Sequence, residues 1–191
     1  MNMNAVYRII PVTCKGKYKW NIMKVVLRNW READAAALAG FSNNIKIWNN
    51  VRDMLPYPYT LKHAEEWIAF TKTQQPASNF AVEANGLPVG SIGFLTKEDV
   101  YRRNIEIGYF INETYWNKGI ASLAVAQLVE MLIKQFHPVR IFAAVFENNI
   151  GSMRVLEKNG FHLECIHRKA VYKNDQLMDE YCWVRIFEDQ L

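Results

Sequence analysis

The segment from Lys118 to Phe136 limits the fold more than any other part of the chain, because almost all of its residues are apolar. The polar residues Gln127, Glu130 and Lys134 recur at helical spacing and form one line, so the segment predicts a helix buried between two layers. The continuous apolar run Val139–Phe146 follows and is typical of a strand in the middle of a sheet. Together they predict a mixed α/β (α+β) domain whose sheet is covered by helices.

Further strands and helices are predicted on both sides of this buried pair. Before it, a strand, three helices and three consecutive strands are predicted at residues 22–27, 34–40, 44–51, 60–71, 79–84, 87–95 and 104–111. Gly40 should end the first helix, Thr60 should cap the third, and Asn85-Gly86 should turn a hairpin. After it, a helix at 150–158 ends at Asn159-Gly160, and 161–172 pairs with 177–187. This order predicts one domain over residues 21–191, with residues 1–20 as an N-terminal arm or extension.

Composition excludes several classes of protein. The 191 residues include 23 Lys and Arg against 19 Asp and Glu, and the net charge of +4 is not gathered into the basic stripe common in nucleic-acid-binding proteins. No stretch approaches the ~18 apolar residues of a membrane span, and Arg8 interrupts the apolar residues near the start. Cys14, Cys165 and Cys182 are too few and too widely spaced for a disulfide framework. We therefore expect a cytoplasmic protein with reduced thiols and neither a nucleic-acid nor a membrane partner.

The turn from Tyr115 to Ser122 joins a predicted strand to the buried helix. It places Gly119 and Ala121 in the first helical turn, where free N–H groups and the helix dipole favour an anion such as phosphate. Lys118 can add a positive charge. The turn is neither a Walker P-loop nor a GxGxxG dinucleotide turn. The sequence alone leaves two interpretations open, a phosphate-binding turn and an ordinary helix start.

Three motifs occur in a fixed order around this turn. The first motif is Glu106–Ile111 followed by Tyr115–Ala121. The second is Asn149–Ser152 followed by Val155–Phe161, and the third is Asp179–Tyr181. Together they resemble the GNAT N-acetyltransferases, specifically the branch that acetylates the N-termini of ribosomal proteins. The similarity runs from about residue 26 to residue 186.

The resemblance implies acetyl-CoA as co-substrate, a mostly antiparallel sheet, and a splayed central pair formed by the fourth and fifth strands. Gly108 interrupts its strand and indicates a β-bulge or a close backbone approach, with a plain packed strand as the alternative. The bulge would free nearby backbone groups for the pantetheine amides and the thioester oxygen. The expected cofactor-binding residues are Tyr109, Phe110, Ile111, Trp116, Asn117, Lys118, Gly119, Ile120, Ala121, Ser122, Asn149 and Ser152.

Two residues are candidates for acid–base catalysis. Many GNAT enzymes carry a Tyr in the helix that contains Ser152, but Leu156 occupies that place here, so Ser152 or a water would protonate the departing thiolate. Glu106 lies on a core strand, and a raised pKa in a cleft would let it accept the amine proton. The alternatives are an N-cap role for Asn149, a surface position for Ser152 and a structural ion pair for Glu106.

The acceptor and any metal are less well specified by the sequence. His162 and Cys165 are expected on opposite faces of one strand, so we predict no metal site. Trp48, Tyr57, Tyr59 and Trp67 are expected to line the acceptor pocket. The resemblance implies a protein N-terminal α-amine as the amine acceptor. A small amine (polyamine, amino acid or antibiotic) and a non-catalytic acyl-CoA sensor are the alternatives. The oligomeric state stays open, with a homodimer as one option.

Overall fold

The computed structural model describes residues 23–187. The expected arm at residues 1–20 and Cys14 lie outside this range. Seven strands form one sheet in the order β1-β2-β3-β4-β5-β7-β6, in which only β4 and β5 pair in parallel. The strands are β1 Val25–Arg28, β2 Asn79–Ala84, β3 Leu87–Thr96, β4 Asn104–Ile111, β5 Arg140–Phe146, β6 His162–Lys173 and β7 Gln176–Ile186. The helices are α1 Ala35–Ser42, α2 Ile45–Trp48, α3 Leu61–Thr73, α4 Ile120–Phe136 and α5 Ile150–Lys158.

The predicted element order is confirmed, and most differences lie at element ends. The prediction that Gly40 ends α1 is wrong, because the helix continues to Ser42. Glycine inside a helix costs about 1 kcal/mol, but the extra turn buries Phe41 against Phe110, with ring centroids 6.2 Å apart. The second helix is also shorter than predicted. Thr60 caps α3 as expected, because its hydroxyl accepts the His63 N–H at 3.3 Å.

Helices cover both faces of the sheet around β4. On one face, α4 buries Leu128 and Leu132 in a cluster with Ile105 and Ile107 of β4. On the other face, α1 and α3 form a second cluster with Ala81 of β2, and Phe110 packs against it. Successive residues of β4 therefore point to different sides, which places Glu106 and Phe110 on the α1 side. No helix among residues 23–187 is long and apolar enough to cross a membrane.

The central strand pair is splayed, as predicted. β4 pairs with β5 only from Asn104 to Glu106, yet it stays paired with β3 as far as Ile111. The predicted bulge at Gly108 is wrong, because the β3–β4 register runs through Gly93 opposite Gly108 without a shift. The divergence of β4 from β5, rather than a bulge, leaves the end of β4 without a neighbour on that side.

A bulge that was not predicted occurs in β6. The register moves from Leu163 opposite Trp183 to Cys165 opposite Cys182, so Glu164 is an extra residue. An extra residue reverses the alternation of side chains along a strand. The prediction that His162 and Cys165 lie on opposite faces is therefore wrong, because their partners Val184 and Cys182 are two residues apart on β7.

Candidate active site

The loop between β4 and α4 is held close to the end of β4. The Trp116 indole N–H donates to the Ile111 carbonyl at 2.6 Å, and the Asn112 side chain accepts the Thr114 N–H at 3.1 Å. Gly119 then adopts φ +77°, a left-handed conformation that favours glycine, so α4 begins at Ile120 rather than at Lys118. These contacts fix the direction in which the first turn of α4 points.

The first turn of α4 presents its N–H groups at an open surface. Gly119 is exposed, and a Cβ added there would meet no atom within 4 Å. Ala121 and Ser122 are half-buried, and the Lys118 ammonium lies 5.0 Å from the centre of the Tyr115 ring. Unpaired N–H groups, the positive end of a long helix and a nearby lysine suit an anionic ligand.

The gap beside β4, which opens where β5 diverges from it after Glu106, exposes backbone hydrogen-bonding groups. The Asn112 N–H bonds the Val89 carbonyl at 2.8 Å, on the β3 side. Because residues of a strand direct their backbone groups alternately to the two neighbouring strands, Tyr109 and Ile111 direct theirs towards the gap. The Ile111 carbonyl accepts from Trp116, which leaves Tyr109 and the Ile111 N–H to bond a ligand in the gap. An extended chain with amides, such as pantetheine, fits this edge.

Asn149, Ser152 and Tyr109 meet next to the gap. Asn149 caps α5 by accepting the Ser152 N–H at 3.1 Å, and Ser152 Oγ lies 2.8 Å from the Tyr109 hydroxyl. Burial raises the pKa of Tyr109, although its bond with Ser152 acts in the opposite sense, so the phenol stays neutral. Leu156 is fully buried in the core, and the hydroxyl of Tyr109 comes from β4 instead. Tyr109 was expected to bind the cofactor, but the contact of its hydroxyl with Ser152 was not predicted, although strand alternation puts Tyr109 opposite Glu106.

Glu106 lies on the other side of β4 and is held between two cations. Its carboxylate pairs with Arg52 and, at 2.7 Å, with Lys97, and its side chain is 12% exposed. Burial acts to raise the pKa of Glu106, but the bonds and charges of Lys97 and Arg52 together outweigh burial and hold the pKa below its usual value. The expected raised pKa is therefore wrong, because the sequence could not show that both cations lie beside this carboxylate.

Lys173 connects the Glu106 site to the β6–β7 hairpin. Its ammonium donates to the Val51 carbonyl at 2.9 Å and to the Asp53 carboxylate at 2.7 Å, and it lies 3.8 Å from the centre of a Trp48 ring. Only 2% of the Lys173 side chain is exposed. Because Val51 and Asp53 flank Arg52, Lys173 holds the backbone from which Arg52 reaches Glu106. No local pattern predicts the contact between Lys173 and Val51, which are 122 residues apart.

A cleft of about 330 Å³ lies between the segment after α2, Trp116, Asn148 and the tip of the β6–β7 hairpin. Most of its lining is carboxamide or cationic: Lys46, Asn49, Asn50, Trp116, Asn148, Lys173, Asn174, Gln176 and Met178. Lys46 pairs with Glu113, and Lys173 pairs with Asp53. Of the four aromatic residues expected to line the acceptor pocket, Tyr59 and Trp67 belong to the second core cluster.

The sequence matches a known family over most of its length. The family profile described as an acetyltransferase (GNAT) domain matches residues 24–162. The chain belongs to the GNAT acetyltransferase family. It is accordingly an N-acetyltransferase that uses acetyl-CoA, and the first turn of α4 and the gap beside β4 suit the pyrophosphate and pantetheine of that co-substrate.

Individual GNAT relatives are distant or match only in part. The probable N-acetyltransferase YjcK of Bacillus subtilis (strain 168) is 47% identical over 68 residues, which are 36% of this chain and 38% of YjcK. The L-amino acid N-acetyltransferase AaaT of Escherichia coli (strain K12) is 27% identical over 85% of this chain and 98% of AaaT. RimL, a ribosomal L7/L12 alpha-N-protein acetyltransferase solved with coenzyme A, has a TM-score of 0.75 at 21% identity over 86% of this chain and 94% of that chain. These matches support the fold and the reaction type and leave the acceptor open.

Proposed function

We propose that this GNAT enzyme transfers the acetyl group of acetyl-CoA to the α-amine at the N-terminus of a protein or peptide. The observation that carries the proposal is the pairing of the Glu106 carboxylate with Arg52 and Lys97, which holds its pKa down. A carboxylate with a low pKa is a weak base, so it suits an acceptor that is already partly neutral.

The pKa of the acceptor separates the classes of amine. At pH 7.5 roughly a quarter to two fifths of α-amino groups are neutral, whereas about 0.1% of lysine-type amines are. Glu106 can take the proton that an attacking α-amine releases, directly or through a water, but it cannot extract one from a lysine-type ammonium at a useful rate. The low pKa therefore favours α-amines over alkyl amines such as polyamines.

The lining of the cleft suits a peptide better than a free amino acid as the acceptor. A free amino acid needs a cation for its α-carboxylate, yet both lysines that line the cleft already have carboxylate partners. The carboxamides of Asn49, Asn50 and Asn148 can instead exchange hydrogen bonds with peptide N–H and carbonyl groups. RimL, which shares the fold, is named as an alpha-N-protein acetyltransferase, in agreement with this choice.

The remaining residues have separate roles in the proposed transfer. The N-terminal turn of α4, with Lys118, Gly119 and Ala121, binds the pyrophosphate. The backbone of Tyr109 and Ile111 binds the pantetheine and stabilises the oxyanion, while Asn149 positions the turn that carries Ser152. Ser152, hydrogen-bonded to the Tyr109 hydroxyl, supplies the proton to the leaving sulfur. Much of the rate comes from holding amine and thioester together in one complex.

A panel of acceptors tests the proposal. The enzyme is incubated with acetyl-CoA and a peptide that has a free N-terminus and an internal lysine, and the acetylated nitrogen is located by tandem mass spectrometry. The matched controls are the same peptide blocked at its N-terminus, its first residue as a free amino acid, and a polyamine. We expect acetylation of the α-nitrogen only. We also expect kcat/KM for the peptide to exceed that for the amino acid by at least about tenfold, which corresponds to one additional hydrogen bond. Acetylation of the lysine, or a preference for the amino acid as the name of AaaT suggests, would contradict the proposal.

Lys173→Met tests how Glu106 is positioned. Methionine fills a similar volume, but it cannot hold Val51 and Asp53, so Arg52 should lose its fixed place beside Glu106. Losing one adjacent cation raises a carboxyl pKa, so the acid limb that Glu106 adds to the kcat–pH profile at saturating peptide, at a pH below the limb set by the α-amine, should move upward by roughly one pH unit. Arg52→Ala should move the limb similarly, and the double variant should show no further movement. Additive shifts, or an unmoved limb in Lys173→Met, would limit Lys173 to a structural role.

A further inference from the structure

A cluster of potential metal ligands lies on the edge hairpin formed by β6 and β7. Because of the bulge in β6, Glu164 and Cys165 lie together opposite Cys182 of β7. A carboxylate oxygen of Glu164 and the two sulfur atoms all lie within 4.8 Å of one another. Both cysteines are free thiols, with Cys182 buried and Cys165 half-buried. Two thiols and a carboxylate from neighbouring strands thus converge on one point.

His167 extends this cluster and is itself oriented by a carboxylate. Its Nε2 lies 3.3 Å from Cys165 Sγ, and its Nδ1 lies 3.4 Å from a carboxylate oxygen of Glu180. A histidine that binds a metal commonly donates its other ring N–H to a carboxylate, which fixes the tautomer and the ring. Glu180 is placed to fix Nδ1–H in this way, so the Nε2 lone pair is directed to Cys165.

We propose that Cys165, Cys182 and His167 bind a thiophilic divalent cation of the Zn²⁺ type, with Glu164 as the fourth ligand. Zn–S bonds of about 2.3 Å and Zn–N bonds of about 2.0–2.1 Å in a tetrahedron separate sulfur from nitrogen by roughly 3.5 Å. The separation of 3.3 Å between Cys165 Sγ and His167 Nε2 is close to that value, and Cys182 Sγ lies 3.9 Å from Glu164 Oε2. His167 contacts Cys165 but does not belong to the group of atoms within 4.8 Å of one another, so its side chain must move towards Cys182 and Glu164 to complete the site.

The surrounding charges are compatible with this cation. Burial, reinforced by the neighbouring Cys165, raises the pKa of Cys182 to about 11, so binding must release the thiol protons to solvent. Two thiolates neutralise a divalent ion. Arg140 bonds both oxygens of Glu164 and lies 3.9 Å from Cys182 Sγ, so Glu164 must release one oxygen and Arg140 must turn away from Cys182 when the metal binds. Because the ligands come from both strands of the edge hairpin, the ion would join β6 to β7 at the bulge.

The test is Zn²⁺ binding by the full chain, kept reduced with a phosphine. Competition with a chromophoric chelator should show one equivalent bound, with affinity rising with pH as the thiols lose protons. Co²⁺ in place of Zn²⁺ should show the visible bands of a tetrahedral site with thiolate ligands. Cys165→Ser, Cys182→Ser and His167→Ala should each lose more affinity than Glu180→Gln, whose loss should be roughly 10–100-fold.

The third cysteine provides the matched control, because Cys14→Ser removes a thiol elsewhere in the chain. That variant should bind Zn²⁺ as the parent does. Since a bound ion stabilises the folded state, Zn²⁺ should also raise the Tm of the parent and of Cys14→Ser, but not that of Cys165→Ser. Equal binding by the parent and by a variant that lacks both Cys165 and Cys182 would overturn the proposal, as would the absence of any binding at micromolar Zn²⁺.

Discussion

Ala121→Asp is expected to weaken acetyl-CoA binding by about three orders of magnitude while leaving the protein folded. The substitution brings a negative charge to the first turn of α4, where the pyrophosphate of acetyl-CoA is proposed to bind. Two unit charges of like sign 4 Å apart repel by about 4 kcal/mol at an effective dielectric constant of 20. Without an anionic ligand, an Asp in a first turn interacts favourably with the helix dipole by ~0.3–1 kcal/mol. Isothermal titration measures the loss of affinity.

Ala126→Asp is the matched control, since Ala126 is exposed further along the same helix and should keep normal affinity. Ser122→Asp should repeat the loss, and it removes no apolar side chain. Gly119 is a poorer place for the test, because its φ of +77° strains any side chain. Gln127 is a poorer control, because it donates to the Val25 carbonyl at 3.0 Å.

Thermal stability provides a second measurement of the same effect. Acetyl-CoA at a hundred times its Kd should stabilise the parent by about 2.7 kcal/mol and raise its Tm. Ala126→Asp should keep this shift in Tm, and Ala121→Asp should lose it at the same concentration. If Ala121→Asp and Ser122→Asp both bind acetyl-CoA as the parent does, the pyrophosphate binds elsewhere and α4 merely begins at this turn.

Local patterns were sufficient to predict the elements that build the cofactor side. β4 and α5 have the predicted bounds, because a β-branched run and a helix with Asn caps at both ends are signals carried by neighbouring residues. The splayed pair came from the family resemblance rather than from composition. Only the register shows the physical cause of the splay, because the pairing of β4 with β5 ends at Glu106.

Contacts between distant segments could not be predicted. Arg52 and Lys173 lie in stretches that look like ordinary loop and turn, yet Arg52 pairs with Glu106 across 54 residues and Lys173 pairs with Asp53, the neighbour of Arg52, across 120 residues. The bulge at Glu164 was missed for another reason. Polar and apolar residues alternate along β6 no more regularly with one extra residue than without it. The faces on which His162 and Cys165 lie therefore depend on a register that only pairing with β7 determines.

Glu106→Gln is expected to lower kcat by roughly 10²–10⁴ while leaving acetyl-CoA affinity nearly intact. The amide keeps the size of the side chain and removes its capacity to accept a proton from the attacking amine. Because the pKa of Glu106 is held down by Lys97 and Arg52, the acid limb set by Glu106 should lie at a lower pH than an ordinary glutamate would give, and below the limb set by the α-amine. Steady-state rates across pH and titration with acetyl-CoA measure the two quantities.

The structural alternative is that Glu106 only anchors its two cations, and Lys97→Met separates the two possibilities. It breaks the same ion pair and keeps the carboxylate. If Glu106 is the base, Lys97→Met should stay within about tenfold of the parent in kcat and should raise the pH of its acid limb, as expected when a carboxylate loses an adjacent cation.

Stability measurements complete the comparison. A carboxyl group whose pKa is lowered on folding stabilises the protein above its unfolded pKa, and this contribution disappears as the pH falls through the folded pKa. The Tm of Glu106→Gln should therefore lie below that of the parent at neutral pH, and the difference should narrow in acid. A loss of Tm with unchanged kcat in Glu106→Gln, or equal losses of kcat in Glu106→Gln and Lys97→Met, would show that Glu106 is a structural ion-pair partner and not the base.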